Sequence, residues 1–167
     1  MSRKDRLTIV FLVFTLCAAL SLELYWFTYR DELVVRAETE WMAKLFRIYG
    51  DADRGIYDQV TPMAVGQEAI NIFITQLFNL WLIVAIIARK RYRYVLQLGL
   101  GSYVAYSVVL YYASAHLTGY PDMRYRSLWT FGLLYGANLP WLLGYGALAW
   151  AAVGGLGRGL RGELDRD

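Results

Sequence analysis

Four long hydrophobic runs alternate with polar segments along the chain. They cover about residues 7–29, 63–88, 94–117 and 128–153. A helix needs roughly 20 apolar residues to cross a hydrocarbon core of about 30 Å, and membrane strands would instead show alternating segments of about ten residues. The pattern therefore predicts an all-α membrane protein, built over residues 1–167 as a single four-transmembrane-helix bundle.

The segments between the runs are polar, and only the first of them is long. Within it, Glu38–Ile48 carries apolar residues at helical spacing, which predicts a short interfacial helix in the first loop. Pro62 stands at the start of the second run, where a helix tolerates proline in its first turn. The Gly- and Arg-rich tail, residues 154–167, is predicted to be flexible.

The charged residues indicate how the helices are oriented. The chain is 57% hydrophobic with a formal charge of +3, and its basic residues gather before the first run, between the second and third, and after the fourth. All three places fall on one side of a four-pass topology, so the positive-inside rule puts both termini in the cytoplasm. The membrane would be the plasma membrane in a prokaryote or the endoplasmic reticulum in a eukaryote. Because the basic residues occupy helix ends, nucleic acid is not an expected partner.

Scarce cysteine and histidine restrict the chemistry. The chain has one cysteine, Cys17, and one histidine, His116. An internal disulfide and a cysteine- or histidine-rich metal site are therefore excluded, and no metal or cofactor is expected. The first run begins like a signal sequence, but it continues to Tyr29. We expect it to be retained as a helix.

Polar residues in the second run follow one face of the predicted helix. Glu68, Asn71, Thr75 and Asn79 are spaced by three, four and four residues. Polar residues on one face of a membrane helix point to protein or to a water-lined cavity. Hydrogen bonds between helices are the simpler expectation for Thr75 and Asn79. A buried carboxyl such as Glu68 needs a cation, a proton or a chemical role.

A second carboxyl, Glu23, interrupts the first run at the same predicted depth as Glu68. Each lies about six residues, or roughly 9 Å, from the end of its helix on the side of the long first loop. Asn138, Trp141 and Tyr106 lie near this layer on the other two helices. The topology thus predicts an internal pocket to which all four helices contribute.

Two carboxyl groups in such a pocket suit proton transfer. Like charges in a low dielectric oppose double ionisation, so one group can be protonated while the other is ionised. One can then act as acid and the other as base on two carbons of an apolar substrate. The face of Trp141 could stabilise a cationic intermediate or hold a cationic ligand.

These residues and their order resemble the EXPERA family, which contains emopamil-binding-protein-type sterol Δ8–Δ7 isomerases and the sigma-2 receptor. The resemblance rests on Leu22–Phe27, Tyr49–Asp53, Glu68 with Leu80 and Trp81, Tyr94–Leu98 with Tyr106–Tyr112, and Asn138 with Trp141. It implies that Glu23 and Glu68 are the catalytic carboxyls. It also implies that Asn138 is a polar partner and Trp141 the cation stabiliser.

The predicted substrate contacts extend beyond this motif set. They are Trp26, Tyr106, Asn138, Trp141, Asn71 and Thr75. The chain also departs from the isomerase pattern. Ala19 stands where the isomerase has a His, Val104 and Val108 replace polar residues of helix three, and Pro140 lies within the Asn-x-x-Trp segment. The pocket is expected to be less polar than that of the isomerase, and any proton relay shorter.

Three functions remain open from the sequence. The first is a cofactor-independent sterol or isoprenoid double-bond isomerase, or a related proton-initiated cyclase. The second is a non-catalytic protein that binds a sterol, another lipid-like small molecule or a cationic amphiphilic amine. The third is a structural role with both carboxyls hydrogen-bonded inside the bundle. Membrane lipid surrounds the protein in each case. The sequence does not decide whether the protein forms a homodimer.

Overall fold

The computed structural model describes residues 2–164, with side chains described over residues 2–157. Its helices are α1 (Arg3–Arg36), α2 (Trp41–Tyr49), α3 (Pro62–Ile87), α4 (Arg93–Leu117) and α5 (Leu128–Leu164). The described residues contain no β-strand. Four of the helices, all except α2, are long and apolar enough to cross a membrane. The chain is therefore a multi-pass membrane protein with the predicted all-α fold.

The helix boundaries differ from the predicted ones in α1 and in α5. α1 spans Arg3–Arg36, whereas its hydrophobic run covers about residues 7–29. α5 continues to Leu164, whereas its hydrophobic run ends at residue 153. Residues 154–164 of the predicted flexible tail are therefore helical. The remaining part of that predicted tail, 165–167, lies outside the described residues. The predicted interfacial helix is present as α2, which begins at Trp41 and not at Glu38.

Local capping explains where two of the spanning helices begin. The Ser2 hydroxyl accepts from the Asp5 backbone N–H at 3.1 Å, and the Asp5 carboxylate accepts from the Ser2 N–H at 3.1 Å. This reciprocal capping box satisfies two backbone donors at the start of α1. At the start of α3, Pro62 occupies the first turn and the Thr61 hydroxyl accepts from the Ala64 N–H at 3.2 Å.

Two spanning helices contain a widened π turn. In α1 the π segment is Ala19–Glu23, and in α3 it is Ile70–Thr75. A π turn places one extra residue in a helical turn and is often found at functional sites. We call the side of the molecule that carries the long connection between α1 and α3 the outer side. Both π segments lie in the halves of α1 and α3 nearer to this side.

The inner half of the bundle is closely packed. Leu12, Leu82, Leu100 and Tyr145 form a buried cluster that joins all four spanning helices. A Cβ atom at Gly101 would lie 2.6 Å from the Tyr145 carbonyl oxygen, so α4 and α5 approach each other there closely enough to require glycine. The bundle is thus filled on the inner side.

The outer side is covered by two connections that are bonded to each other. The Arg54 N–H donates to the Asp122 carbonyl at 2.9 Å, and the Arg124 N–H donates to the Asp51 carbonyl at 3.0 Å. The Arg124 guanidinium also donates to Asp58 at 2.9 Å. We call residues 51–58 and 119–126 together the outer cap.

Candidate functional site

A cavity of about 540 Å³ lies beneath the outer cap. All four spanning helices, α2 and the outer cap contribute to its wall. Its size falls within the range of about 300–1,000 Å³ that small-molecule sites usually have. The polar and charged residues of the wall within the spanning helices and α2 include Glu23, Tyr49, Gln67, Glu68, Asn71, Thr75, Tyr103, Ser107, Tyr111 and Asn138.

Glu23 and Glu68 face this cavity from neighbouring helices. Glu23 ends the π segment of α1, and Glu68 lies just before that of α3. The Asn71 side-chain amide donates to Glu23 Oε2 at 2.6 Å. Glu68 Oε2 is buried and has no hydrogen-bond partner among the described residues. Both side chains thus line the same cavity.

The π turn of α3 is supported by a side chain. Gln76, the residue after the π segment, donates through Nε2 to the Asn71 carbonyl at 3.3 Å. A widened turn loses regular backbone pairing, so a side-chain donor at this carbonyl helps to satisfy it. The same residue, Asn71, therefore has its backbone held by Gln76 and its side chain directed to Glu23.

A second polar cluster in the cavity wall joins the helices to the outer cap. Tyr111 donates to Asp53 Oδ2 at 2.5 Å and lies 3.1 Å from the Tyr49 hydroxyl. Asn138 donates to the Tyr49 hydroxyl at 3.1 Å. The Gly55 N–H donates to the other Asp53 oxygen at 2.9 Å. We call Tyr49, Asp53, Tyr111 and Asn138 the Tyr–Asp cluster; it joins α2, the outer cap, α4 and α5.

Burial controls the acidity of the two members of this cluster that lie outside the spanning helices. Desolvation raises the pKa of Asp53, whose exposed fraction is 7%, and the Tyr111 hydrogen bond only partly opposes this rise. Burial also raises the pKa of Tyr49 well above its ordinary value of 10.0. The Tyr49 hydroxyl is thus a neutral hydrogen-bond group at physiological pH.

A third polar group is sealed inside the bundle. Asn79 donates to Tyr145 at 2.8 Å and to Thr15 at 3.2 Å, and it also donates to Gln76 at 2.8 Å. These bonds join α1, α3 and α5, so the prediction of bonding between helices is confirmed for Asn79. Asn79 is fully buried and lies outside the cavity wall formed by the described residues.

Six of the eight predicted site residues line the cavity. They are Glu23, Glu68, Asn71, Thr75, Asn138 and Trp141. The remaining two, Trp26 and Tyr106, are absent from the wall among the described residues.

Trp26 and Tyr106 have different surroundings. Trp26 is 1% exposed, packs beside Leu33 and Tyr57, and donates through its indole N–H to the Ile56 carbonyl at 2.5 Å. Its role is to hold α1 against the first connection. Tyr106 is 64% exposed on the outside of α4. Neither side chain belongs to the cavity wall of the described residues, and substrate contact by Trp26 and Tyr106 stays a prediction.

Several polar residues of the wall were not predicted as site residues, among them Tyr49, Asp53 and Tyr111. The sequence did carry a signal for them, because Tyr49–Asp53 and Tyr111 belong to the segments that carry the EXPERA resemblance. Only the fold shows that the first connection folds back over α4 to bring Asp53 and Tyr111 together.

The fold and cavity define a class of protein: a four-span membrane protein with two carboxyl groups in an internal pocket. The family model of EXPERA (EXPanded EBP superfamily) matches residues 41–152, more than half of the chain. The chain belongs to the EXPERA family. Glu68, Asn138 and Trp141 lie in the matched segment, and Glu23 precedes it. No curated protein matches the chain significantly.

Proposed function

We propose that this EXPERA protein is a sterol- or isoprenoid-directed double-bond isomerase that uses Glu23 and Glu68 for proton transfer. The observation that carries the proposal is the pair of carboxyl groups facing one largely apolar cavity, with Glu68 Oε2 buried and unpartnered among the described residues. A buried carboxyl oxygen without a partner is costly for a structural role alone, which favours a group that meets a ligand or carries a proton.

The chemistry needs no external reactant. A protonated carboxyl adds its proton to one carbon of a C=C bond, which leaves a positive charge on the other carbon. The ionised carboxyl then removes a proton from a carbon next to the charge, and the double bond forms at the new position. One carboxyl has lost a proton and the other has gained one, so transfer between the two groups restores the starting state. The indole of Trp141 lines the same cavity and can stabilise the positive charge through its ring face.

The test is deuterium incorporation at carbon. Protein purified with co-extracted lipid is incubated in deuterated water with a panel of sterols and isoprenoids, and the products are examined by mass spectrometry. Glu68→Gln and Glu23→Gln keep the side-chain size but cannot exchange a proton, so each should lower turnover by about 10² or more. Glu38→Gln, at an exposed residue of the first connection, is the matched control and should retain activity.

Full turnover by Glu68→Gln or Glu23→Gln would remove that carboxyl from the mechanism. Melting temperature in detergent separates lost chemistry from lost folding in each variant. A variant that melts as the parent does but incorporates no deuterium supports the proposal.

A second candidate is a binding protein for lipids or cationic amphiphilic amines. It is supported by the same unpartnered oxygen, because Glu68 can accept a hydrogen bond from an ammonium group while Trp141 covers the cation. This function predicts amine binding that weakens in Glu68→Gln and gives no deuterated product with any substrate of the panel. Product formation would distinguish the isomerase from the binding protein.

We also propose that both termini face the cytoplasm. The support is the run Arg89–Arg93 between α3 and α4, on the same side as Arg3 and Lys4. Since Cys17 is the single cysteine, a Cys17→Ser background allows one new cysteine to report each side. In intact cells, an impermeant maleimide should label Gln59→Cys, in the first connection, and spare Lys90→Cys. The reverse labelling would invert the topology.

A further inference from the structure

A second concave site lies on the inner side of the membrane, away from the carboxyl cavity. It has a volume of about 380 Å³ and lies between the start of α1 and the α3–α4 connection. We call it the basic pocket. Its wall consists of Ser2, Asp5, Arg89, Lys90, Arg91, Arg93 and Tyr94.

One side of the basic pocket is fixed by contacts among three helices. Arg93 of α4 pairs with Asp5 of α1 at 3.1 Å, and these side chains are only 15% and 18% exposed. The Arg93 guanidinium lies over the ring of Tyr94 and donates to its hydroxyl at 2.9 Å. The Tyr94 ring occupies space that a side chain at Gly155 of α5 would need, since a Cβ there would overlap the ring.

The remaining wall is strongly cationic. Four basic side chains and one carboxylate line the pocket, and that carboxylate, Asp5, is already paired with Arg93. Arg89 and Lys90 are exposed at the turn that follows α3. Arg89 has a backbone φ of 51°, in the left-handed region that favours glycine. The pocket therefore carries an excess of positive charge at a turn with a defined conformation.

Neighbouring aromatic residues show the depth of the basic pocket in the membrane. Trp81 and Tyr92 pair with ring centroids 6.1 Å apart beside the same turn, and both are exposed. Trp and Tyr at the ends of spanning helices prefer the level of the lipid headgroups. The basic pocket thus opens at the level where lipid phosphates lie.

We propose that the basic pocket binds the phosphate of an anionic phospholipid through Arg89 and Lys90. A guanidinium can donate two parallel hydrogen bonds to phosphate oxygens, and the ammonium supplies a further charge. Basic pockets at the ends of spanning helices suit anionic headgroups. The site is independent of Glu23 and Glu68, so its test does not depend on the proposed isomerase activity.

The experiment is native mass spectrometry of the purified full chain titrated with phosphatidylglycerol or phosphatidylcholine. Arg89→Gln/Lys90→Gln should weaken phosphatidylglycerol binding by about tenfold, which corresponds to about 1.4 kcal/mol. Arg3→Gln/Lys4→Gln is the charge-matched control, because it removes the same charge on the same side of the membrane. Arg3 and Lys4 are not in the pocket wall of the described residues, so this variant should change phosphatidylglycerol binding by no more than about twofold. Melting temperatures check folding, and the single variant Lys90→Glu provides a second test at an exposed residue.

Three results would overturn the proposal. The first is an equal loss in the pocket variant and its charge-matched control, which would mean a general surface-charge effect. The second is equal binding of phosphatidylglycerol and phosphatidylcholine by the parent protein. The third is displacement of the lipid by millimolar glycerol 3-phosphate, which would assign the pocket to a soluble phosphate ester.

Discussion

Asp53 is a carboxyl group whose surroundings resist its charge. It is 7% exposed, and its oxygens accept hydrogen bonds from Tyr111 and from the Gly55 backbone. Burial raises its pKa above the ordinary value of 3.8. The folded protein therefore holds a proton on Asp53 more tightly than the unfolded chain does. Its contribution to stability is complete below pH 3.8 and is lost as pH rises through the folded-state pKa.

Asp53→Asn should remove this pH dependence. Asparagine stays neutral, so the unfolding temperature of the variant should fall less than that of the parent as pH rises from about 4. The slope is the informative quantity, because an amide replaces one acceptor oxygen and changes the absolute stability as well. Thermal unfolding in detergent at a series of pH values measures it.

Asp31→Asn is the matched control for this experiment. Asp31 has an 80% exposed side chain, so its substitution should leave the pH slope of the parent unchanged. Parallel curves for the parent and Asp53→Asn would contradict the expected role of Asp53.

For single residues, the sequence predicted the depth of a side chain in the membrane better than the direction in which the side chain points. Counting along α1 and α3 placed Glu23 and Glu68 in one layer, and the structure puts both on the cavity. The depth of a residue along a helix does not determine on which face of that helix its side chain lies. Tyr106 precedes the wall residue Ser107 by one position, a rotation of roughly 100°, and it points outward. Trp26 follows the wall residue Glu23 by three positions on α1, but it faces the first connection.

At the scale of elements, the π segments were the part of the spanning helices that hydropathy could not predict. A π turn inserts one residue without changing the apolar character of a run, so Ala19–Glu23 and Ile70–Thr75 resemble ordinary helix in the sequence. The length of the runs predicted α3 and α4 within one residue at each end. The extension of α5 to Leu164 was missed because the Gly-rich sequence lowers helix propensity.

The approach of α4 to α5 leads to a prediction at the same scale. Gly101→Ala would place a Cβ 2.6 Å from the Tyr145 carbonyl and 2.7 Å from the Ala149 nitrogen, both backbone atoms that cannot rotate away. The helices must separate, and such overpacking should lower the free energy of unfolding by about 1–3 kcal/mol. Thermal or denaturant unfolding in detergent measures the change.

Gly99→Ala is the control on the same helix. A Cβ at Gly99 meets no described atom within 4 Å, so the substitution should be neutral or stabilising by up to about 1 kcal/mol. Equal effects of the two substitutions would show that the proximity of the two helices does not limit the residue at position 101.

For the whole molecule, the contrast between a filled inner half and a hollow outer half determines where a ligand fits. Ala137 of α5 lines the cavity, whereas Ala147 on the same helix is exposed and outside the described wall. Ala137→Phe should occupy cavity volume and lower retention of the co-purified lipid by about tenfold, or about 1.4 kcal/mol.

Ala147→Phe adds the same side chain to the lipid-facing surface and should retain lipid as the parent does. Lipid extraction followed by mass spectrometry gives both amounts. Unchanged retention in Ala137→Phe would place the ligand elsewhere on the molecule.

The two backbone bonds of the outer cap also constrain the order in which the protein is completed during synthesis. The Arg54 N–H and the Asp122 carbonyl are joined in the folded chain, but α3 and α4 lie between them in the sequence. Both helices must be inserted before the bond can form. A nascent chain that has just exposed Glu68 still lacks the parts of the cavity wall that α4 and α5 supply, so the covered cavity is complete only after all four spanning helices are present.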